Sequence, residues 1–202
     1  DTVKQTAIAA QANAGDTAFK LEALQQDGGP FSYWAAALGV EHTFVNGESI
    51  AEIEAAFQEN TKVLFLESPN TATFKIQDLK ACATLAQKYS VVSMIDNSYA
   101  SPVFQNPADF GIDVIIHSGT KYINGHSDVV VGIVCSSEQI ITKIFHQEYM
   151  TLGAILSPHD ASLVIRGLRT LDMRIKKSHD TAQEVIEYLD NHPLVQKIIY
   201  PF

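Results

Sequence analysis

The sequence predicts an α/β protein, a mostly parallel sheet with helices on both faces. Three observations predict it. Short apolar runs rich in β-branched residues, at 62–66, 91–95 and 113–117, alternate with stretches of helical periodicity. Those runs are almost continuously apolar, as strands covered on both faces must be. Two of them end abruptly in polar residues, Asp96 and the segment Ser118 to Lys121. In an open α/β sheet, ligands bind at the carboxyl ends of the strands.

Taken in order, the first 30 residues are atypical. Residues 1–14 are rich in Ala and Gln with a loosely helical pattern, 18–26 can form a second helix, and Asp27-Gly28-Gly29-Pro30 breaks the chain. Residues 31–38 fit an apolar helix leading through Gly39 to a strand over 41–45. Ser49 is the N-cap of a helix over 50–57, with Glu52 at the capping-box position. A strand over 62–66 ends at Glu67-Ser68-Pro69. Asp78 caps a helix over 79–89, in which Leu79, Ala83, Ala86 and Tyr89 fall on related faces. Strand 91–95, a short helix near 102–110 and strand 113–117 follow. A strand over 129–135 comes too soon after Lys121 for a helical crossover, so it is expected to run antiparallel to its neighbour. An amphipathic helix over 138–150 precedes a long helical pattern over 159–191, bent near Gly167 and ended by Pro193. The expected organisation is an N-terminal segment 1–30, an α/β domain 31–157 and a long connecting helix 158–202.

The composition narrows the class. With 46% hydrophobic and 18% charged residues, the chain has the make-up of an ordinary globular protein. A balance of 14 basic against 23 acidic residues gives −9, and no basic cluster is present, which argues against nucleic acid and anionic membrane surfaces as partners. No apolar run approaches the length of a membrane span, and no signal-peptide pattern opens the chain. Cys82 and Cys135 share no metal-ligand spacing and read as buried, reduced thiols of a cytoplasmic protein.

The chemistry concentrates at two strand ends. Lys121, preceded by Ser118 and Thr120, suits a Schiff base to an aldehyde cofactor, with the amine as nucleophile and the hydroxyls as donors to a phosphate. Asp96 ends the preceding apolar strand. A carboxylate there suits pyridoxal phosphate, whose ring nitrogen must stay protonated if the ring is to accept carbanion charge. The alternatives are a surface lysine, hydroxyls that merely cap a turn and a carboxylate with a structural partner. His126, Ser127 and Asp128 are adjacent in sequence, and a hydrolytic triad is assembled from separated segments, so they are set aside.

Glu67-Ser68-Pro69, Asp96-Asn97-Ser98, Ser118-Gly119-Thr120-Lys121-Tyr122 and Gly125-His126-Ser127-Asp128, continuing through 156–161, 166–171, His192-Pro193 and Tyr200-Pro201, resemble the Cys/Met-metabolism family of pyridoxal-phosphate enzymes. That family comprises the cystathionine lyases and synthases and their sulfhydrylase relatives. The resemblance covers roughly residues 31 to 202. It implies the large domain of an aspartate-aminotransferase-like, fold type I enzyme, with pyridoxal 5′-phosphate on Lys121. It further implies Asp96 on the ring nitrogen, Ser118 and Thr120 on the phosphate, and Ser98, in place of a family threonine, near the cofactor. Asn70 or Thr71 would stand where the family has an asparagine. The family's glycine loop and stacking aromatic belong in the first 30 residues; Gly28-Gly29 resembles the double glycine only faintly, and Asp27 stands where a tyrosine is expected.

The resemblance implies a lyase that cleaves the C–S bond of a sulfur amino acid such as cystathionine, cysteine or methionine. The 109–113 segment and the continuation after Glu67-Ser68-Pro69 favour cleavage over γ-replacement of the cystathionine γ-synthase or homoserine sulfhydrylase type. Family members form tetramers built from dimers, so a homo-oligomer is expected. A third reading, a non-catalytic remnant or subunit of the fold, is motivated by the atypical first 30 residues and by a chain that stops where a C-terminal domain would begin. Arg166 and Arg169 are assigned to the connecting helix, and Tyr122 to packing.

Overall fold

The computed structural model describes residues 6–10 (backbone only), 39–71, 73–153 and 155–201. Among these residues the centre is a six-stranded sheet in the order β2-β1-β3-β4-β5-β6. The strands are β1 (Thr6–Ala10), β2 (Glu41–Val45), β3 (Thr61–Glu67), β4 (Val92–Asp96), β5 (Val114–Ser118) and β6 (Gly132–Ser136). The first five run parallel, and β6 returns antiparallel along β5, from Val114 opposite Ser136 to Ser118 opposite Gly132. The short return between β5 and β6 leaves no room for a crossover helix and dictates that direction.

The helical reading of residues 1–14 is corrected over Thr6–Ala10. That segment is a strand paired on both sides, with Ile8 opposite Thr43 of β2 and Leu64 of β3. Alanine favours helix by propensity, but a place between two strands overrides so weak a preference. The helices expected over 18–26 and 31–38, and the Gly28-Gly29 loop, lie outside the described residues.

The first helices follow their caps. Ser49 accepts a hydrogen bond from the Glu52 amide and starts α1 (Ile50–Ala55). Asp78 accepts from the Ala81 amide and starts α2 (Leu79–Lys88). Both helices deliver apolar faces to one core. It joins Ile53 of α1 and Leu79, Cys82, Ala83, Leu85 and Ala86 of α2 to Leu64 and Leu66 of β3, Ile95 of β4 and Ile115 of β5. The short helical stretch near Pro102 is two pieces, α3 (Ser101–Phe104) and a 3₁₀ turn (Pro107–Phe110).

Beyond β6, α4 (Glu138–Ile144) passes into a π-turn (Phe145–Tyr149) and α5 (Met150–Leu152), where one uniform helix was expected. The long pattern at the end of the chain is two helices, α6 (Pro158–Leu168) and α7 (Leu171–Asp190), broken at Arg169-Thr170. They form a second core in which Val164, Leu171 and Ile175 pack with Ile123 and Val129 from the segment after β5. Of the two cysteines, Cys82 is buried, and burial pushes its thiol up to about 11. Cys135 is exposed on the edge strand β6, which corrects the expectation that both are buried. Among the described residues, no helix is long and apolar enough to cross a membrane.

Candidate active site

The carboxyl ends of β3, β4 and β5 lie side by side, with Glu67 beside Asp96 and Asp96 beside Ile116. Laterally paired residues of a parallel sheet share a face. Glu67, Asp96 and Ile116 are therefore opposite the face that carries Leu66, Ile95 and Ile115 into the first core. Asp96 is half-buried, and one of its oxygens accepts from the Ser98 amide at 2.9 Å. Its other oxygen takes no hydrogen bond from the described residues. Ser98 then accepts a hydrogen bond from the Ser118 amide at 2.5 Å, which locks the end of β4 to the end of β5. Ser98 is thus a junction between the two strand ends, and its hydroxyl proton stays available to donate.

Around this junction the backbone is held by buried amides. The Asn97 amide donates to the Ile116 carbonyl at 2.8 Å, and its side chain donates to the Gln105 carbonyl at 3.0 Å. Gln105 donates in turn to the Asn97 side chain and the Ser68 carbonyl, both at 2.7 Å. The loop after β3, which contains the cis Ser68–Pro69 bond, closes on itself. Asn70 is fully buried, donating to Glu67 at 2.9 Å and accepting from the Thr73 hydroxyl at 2.9 Å. Its amide is therefore committed to shaping the loop. Thr71 is exposed, with its hydroxyl on Glu67.

Lys121 follows β5 in a tight turn. Its amide donates to Ser118, the Asn124 amide to Gly119, and the Gly125 amide to the Lys121 carbonyl, at 3.0, 2.8 and 2.8 Å. The lysine is exposed and lines an open cleft of about 630 Å³ with Thr120, Tyr122, residues 125–130 and Arg174. Thr120 is tied sideways: its hydroxyl accepts from the Val131 amide at 2.9 Å, and its amide donates to the Val131 carbonyl at 3.2 Å. That pairing fastens the lysine turn to the chain entering β6. A second cavity, of about 350 Å³, is walled by Tyr99, Phe104, Tyr122, Ile175, His179 and Tyr200. Burial raises the Tyr99 phenol above its ordinary 10.0, and Tyr122 and Tyr200 push it the same way.

His117 is buried on the face opposite Asp96. Burial lowers its imidazole from the ordinary 6.5, opposed by the nearby Asp96 carboxylate and by a hydrogen bond with the Asn97 backbone. His126 and Asp128 do not form a dyad. The His126 ring meets the Asn124 carbonyl at 3.0 Å, while Asp128 accepts from the Asn124 side chain at 2.8 Å, a bond that lowers its carboxyl below 3.8. No group of His, Cys, Asp or Glu able to hold a metal occurs among the described residues. Arg174 was missed by sequence reasoning. It comes from α7, and no local motif marks it.

Residues 5–202 match the model of the Cys/Met metabolism PLP-dependent enzyme family. The chain belongs to that family. Cystathionine gamma-lyase of Bacillus subtilis is 39% identical over 164 residues, which are 81% of this chain and 43% of that protein. Cystathionine gamma-synthase of Haemophilus influenzae is 40% identical over 162 residues, 80% of this chain and 44% of that one. The crystal structure of cystathionine gamma-lyase from Lactobacillus plantarum, complexed with L-serine, superposes with a TM-score of 0.85 at 32% identity, covering 98% of this chain and 49% of that chain. The chain thus spans less than half the length of the curated relatives it matches, and the fold is the α/β fold expected from the sequence.

Family membership implies pyridoxal 5′-phosphate as cofactor, and the donor set fits it. Asp96 is a half-buried carboxylate, one oxygen of which takes no hydrogen bond from the described residues, as a partner for a protonated ring nitrogen should be. Lys121 stands in an open cleft after the adjacent strand, and Ser118 ends that strand with a hydroxyl. Thr120 fits less simply, because its hydroxyl already donates to the Val131 carbonyl at 3.3 Å.

Proposed function

We propose that the protein is a pyridoxal-phosphate-dependent carbon–sulfur lyase acting on a sulfur amino acid of the cystathionine, cysteine and methionine class. The observation that carries this reading is the adjacency of β4 and β5, which end in Asp96 and in Ser118 followed by Lys121. Together with the family match, it supplies the ring-nitrogen partner and the amine on neighbouring strand ends.

When bound, the cofactor supplies an electron sink for charge developing at the substrate's α-carbon. The chain's own groups do the rest. The Lys121 amine would hold the cofactor's aldehyde carbon and, when free, would be the base for the substrate's α-proton. Asp96 keeps a proton on the ring nitrogen. Ser118 and Ser98 offer hydroxyls at the junction of the two strands, with Thr120 a further phosphate contact if its bond to Val131 yields. The relatives named lyase and synthase stand at 39% and 40% identity, so a second reading, γ-replacement on an activated homoserine, has comparable support.

Assembly into a homo-oligomer and a cytoplasmic setting belong to the same proposal. Val130 and Leu152, 89% and 79% exposed, are apolar groups that a further copy would cover.

The test is the visible absorption spectrum with added pyridoxal phosphate, followed by borohydride fixation and peptide mapping. A band fixed on Lys121 and absent from Lys121→Ala is the expected result. Thiol and 2-oxo acid release from cystathionine, cysteine and methionine then separates elimination from replacement. A folded protein with no band in excess cofactor would return the chain to the reading of a non-catalytic subunit.

A further inference from the structure

The turn carrying Lys121 is not held by the sheet alone. Its far end, Ile123 to Gly125, is seized by the junction of α6 and α7. At Gly167 the two backbones are in such close contact that a Cβ there would lie 1.9 Å from the Asn124 carbonyl oxygen. Arg174 sits across the same junction. Its Nε donates to the Thr170 hydroxyl at 2.9 Å, and one Nη donates to the Gly167 carbonyl at 2.9 Å and reaches within 3.5 Å of the Ile123 carbonyl. The guanidinium lies against Gly125, where a Cβ would come 2.4 Å from Cζ. Gly125, with φ of +73°, donates its amide to the Lys121 carbonyl at 2.8 Å. A continuous chain of contacts thus runs from α7 through Arg174 and Gly125 to the backbone of Lys121. Arg174 and Lys121 also line one cleft.

We propose that Arg174 is a positioning residue for Lys121, acting through the Gly125 turn. The inference rests on the role given to Lys121 above and extends it. A planar fork with several donors in fixed directions is needed to bridge Thr170, Gly167 and the turn together, which an ammonium on a flexible stem cannot reproduce. Arg174 need not touch the reacting atoms. Its work is to fix the turn from which the amine projects, and small misplacements of such a group are costly.

The experiment uses the full chain and the variants Arg174→Ala, Arg174→Lys, Gly125→Ala and the double variant Arg174→Ala/Gly125→Ala. Thermal unfolding confirms folding in each. Cofactor affinity is read by titration, chromophore orientation by the circular dichroism of the visible band, and amine placement by the rate at which acetic anhydride labels Lys121 in cofactor-free protein. Arg174→Ala is expected to weaken pyridoxal phosphate about tenfold or more, to change the visible circular dichroism, and to alter Lys121 labelling several-fold against the other lysines. Arg174→Lys is expected not to restore these readouts. A folded Arg174→Ala with unchanged affinity, dichroism and labelling overturns the proposal, as does full rescue by lysine, which would assign the effect to charge. Should Arg174→Ala fail to fold, Gly125→Ala alone must alter affinity and labelling of Lys121, and unchanged readouts overturn the proposal. Where both single variants fold, the effect of Gly125→Ala is expected to shrink in the Arg174→Ala background, and strict additivity also overturns it. If wild-type protein takes up no cofactor, the lyase reading fails, and the labelling rates still decide the positioning role.

Discussion

The two cores of the molecule hold the two halves of the proposed site by different means. The first lies under β3, β4 and β5 and is built by the strands and helices as they alternate along the chain, so Asp96 projects from a strand fixed by its own ladder and by α2. The second joins the turn after Lys121 to helices that arrive much later in the chain, with Gly167 against the Asn124 backbone and Arg174 against Gly125. The carboxylate therefore inherits the rigidity of the sheet. The lysine depends on a docking event between distant segments. One part of the site is a consequence of local folding and the other of tertiary closure, so the two should respond differently to damage.

Breaking the first core gives the largest expected loss. Leu66 is fully buried, and Leu66→Ala is expected to cost about 2–5 kcal/mol in denaturant unfolding. Cofactor uptake should fall only in proportion to the unfolded fraction. Breaking the second core costs less stability and more function. Gly167→Ala drives a methyl into the Asn124 carbonyl, an overpacking worth about 1–3 kcal/mol. Fixation of cofactor on Lys121 should fall further than the folded fraction does. Equal falls in both variants would erase the distinction between the cores. Smaller still is Asp78→Ala, which removes the cap bond to the Ala81 amide; about 1 kcal/mol is expected, read as a lower unfolding midpoint with Lys121 chemistry untouched.

How much of this was legible follows the same division. Asp96 and the Ser118–Lys121 turn stood out because an apolar strand that stops at a polar group announces its carboxyl end, and β4 and β5 then became neighbours as the alternation implied. The caps Ser49 and Asp78 were legible for a similar local reason. The strand Thr6–Ala10 was not. Three of its five residues are alanine, and only its partners on either side make it extended. The sideways commitment of Thr120 depends on where the chain enters β6, which periodicity does not locate to the residue. Arg174 was illegible because its contacts depend on the break at Arg169-Thr170. A bend near Gly167 was visible as a pattern, but not the backbone contact that requires glycine there.

The smallest effect tests whether the site's buried side is as rigid as its ladder implies. His117 lies 5% exposed at the end of β5. Burial lowers its pKa from 6.5, while Asp96 and the Asn97 backbone partly offset that shift. The native state therefore takes up a proton at His117 less readily than the unfolded chain, which titrates near 6.5. Between the lowered native value and 6.5 the unfolded state binds more protons, so stability rises with pH across that window. The contribution is fully present above about pH 6.5 and is lost as the pH falls toward the native value. His117→Gln keeps a polar group of similar reach but cannot titrate. The expected outcome is a wild-type unfolding midpoint that declines on acidification from neutral to about pH 5, with a shallower decline in the variant. Parallel curves would mean that His117 gains a compensating partner when protonated. The first core would then be loose enough around the strand end to admit water or a rearranged polar group to the ring.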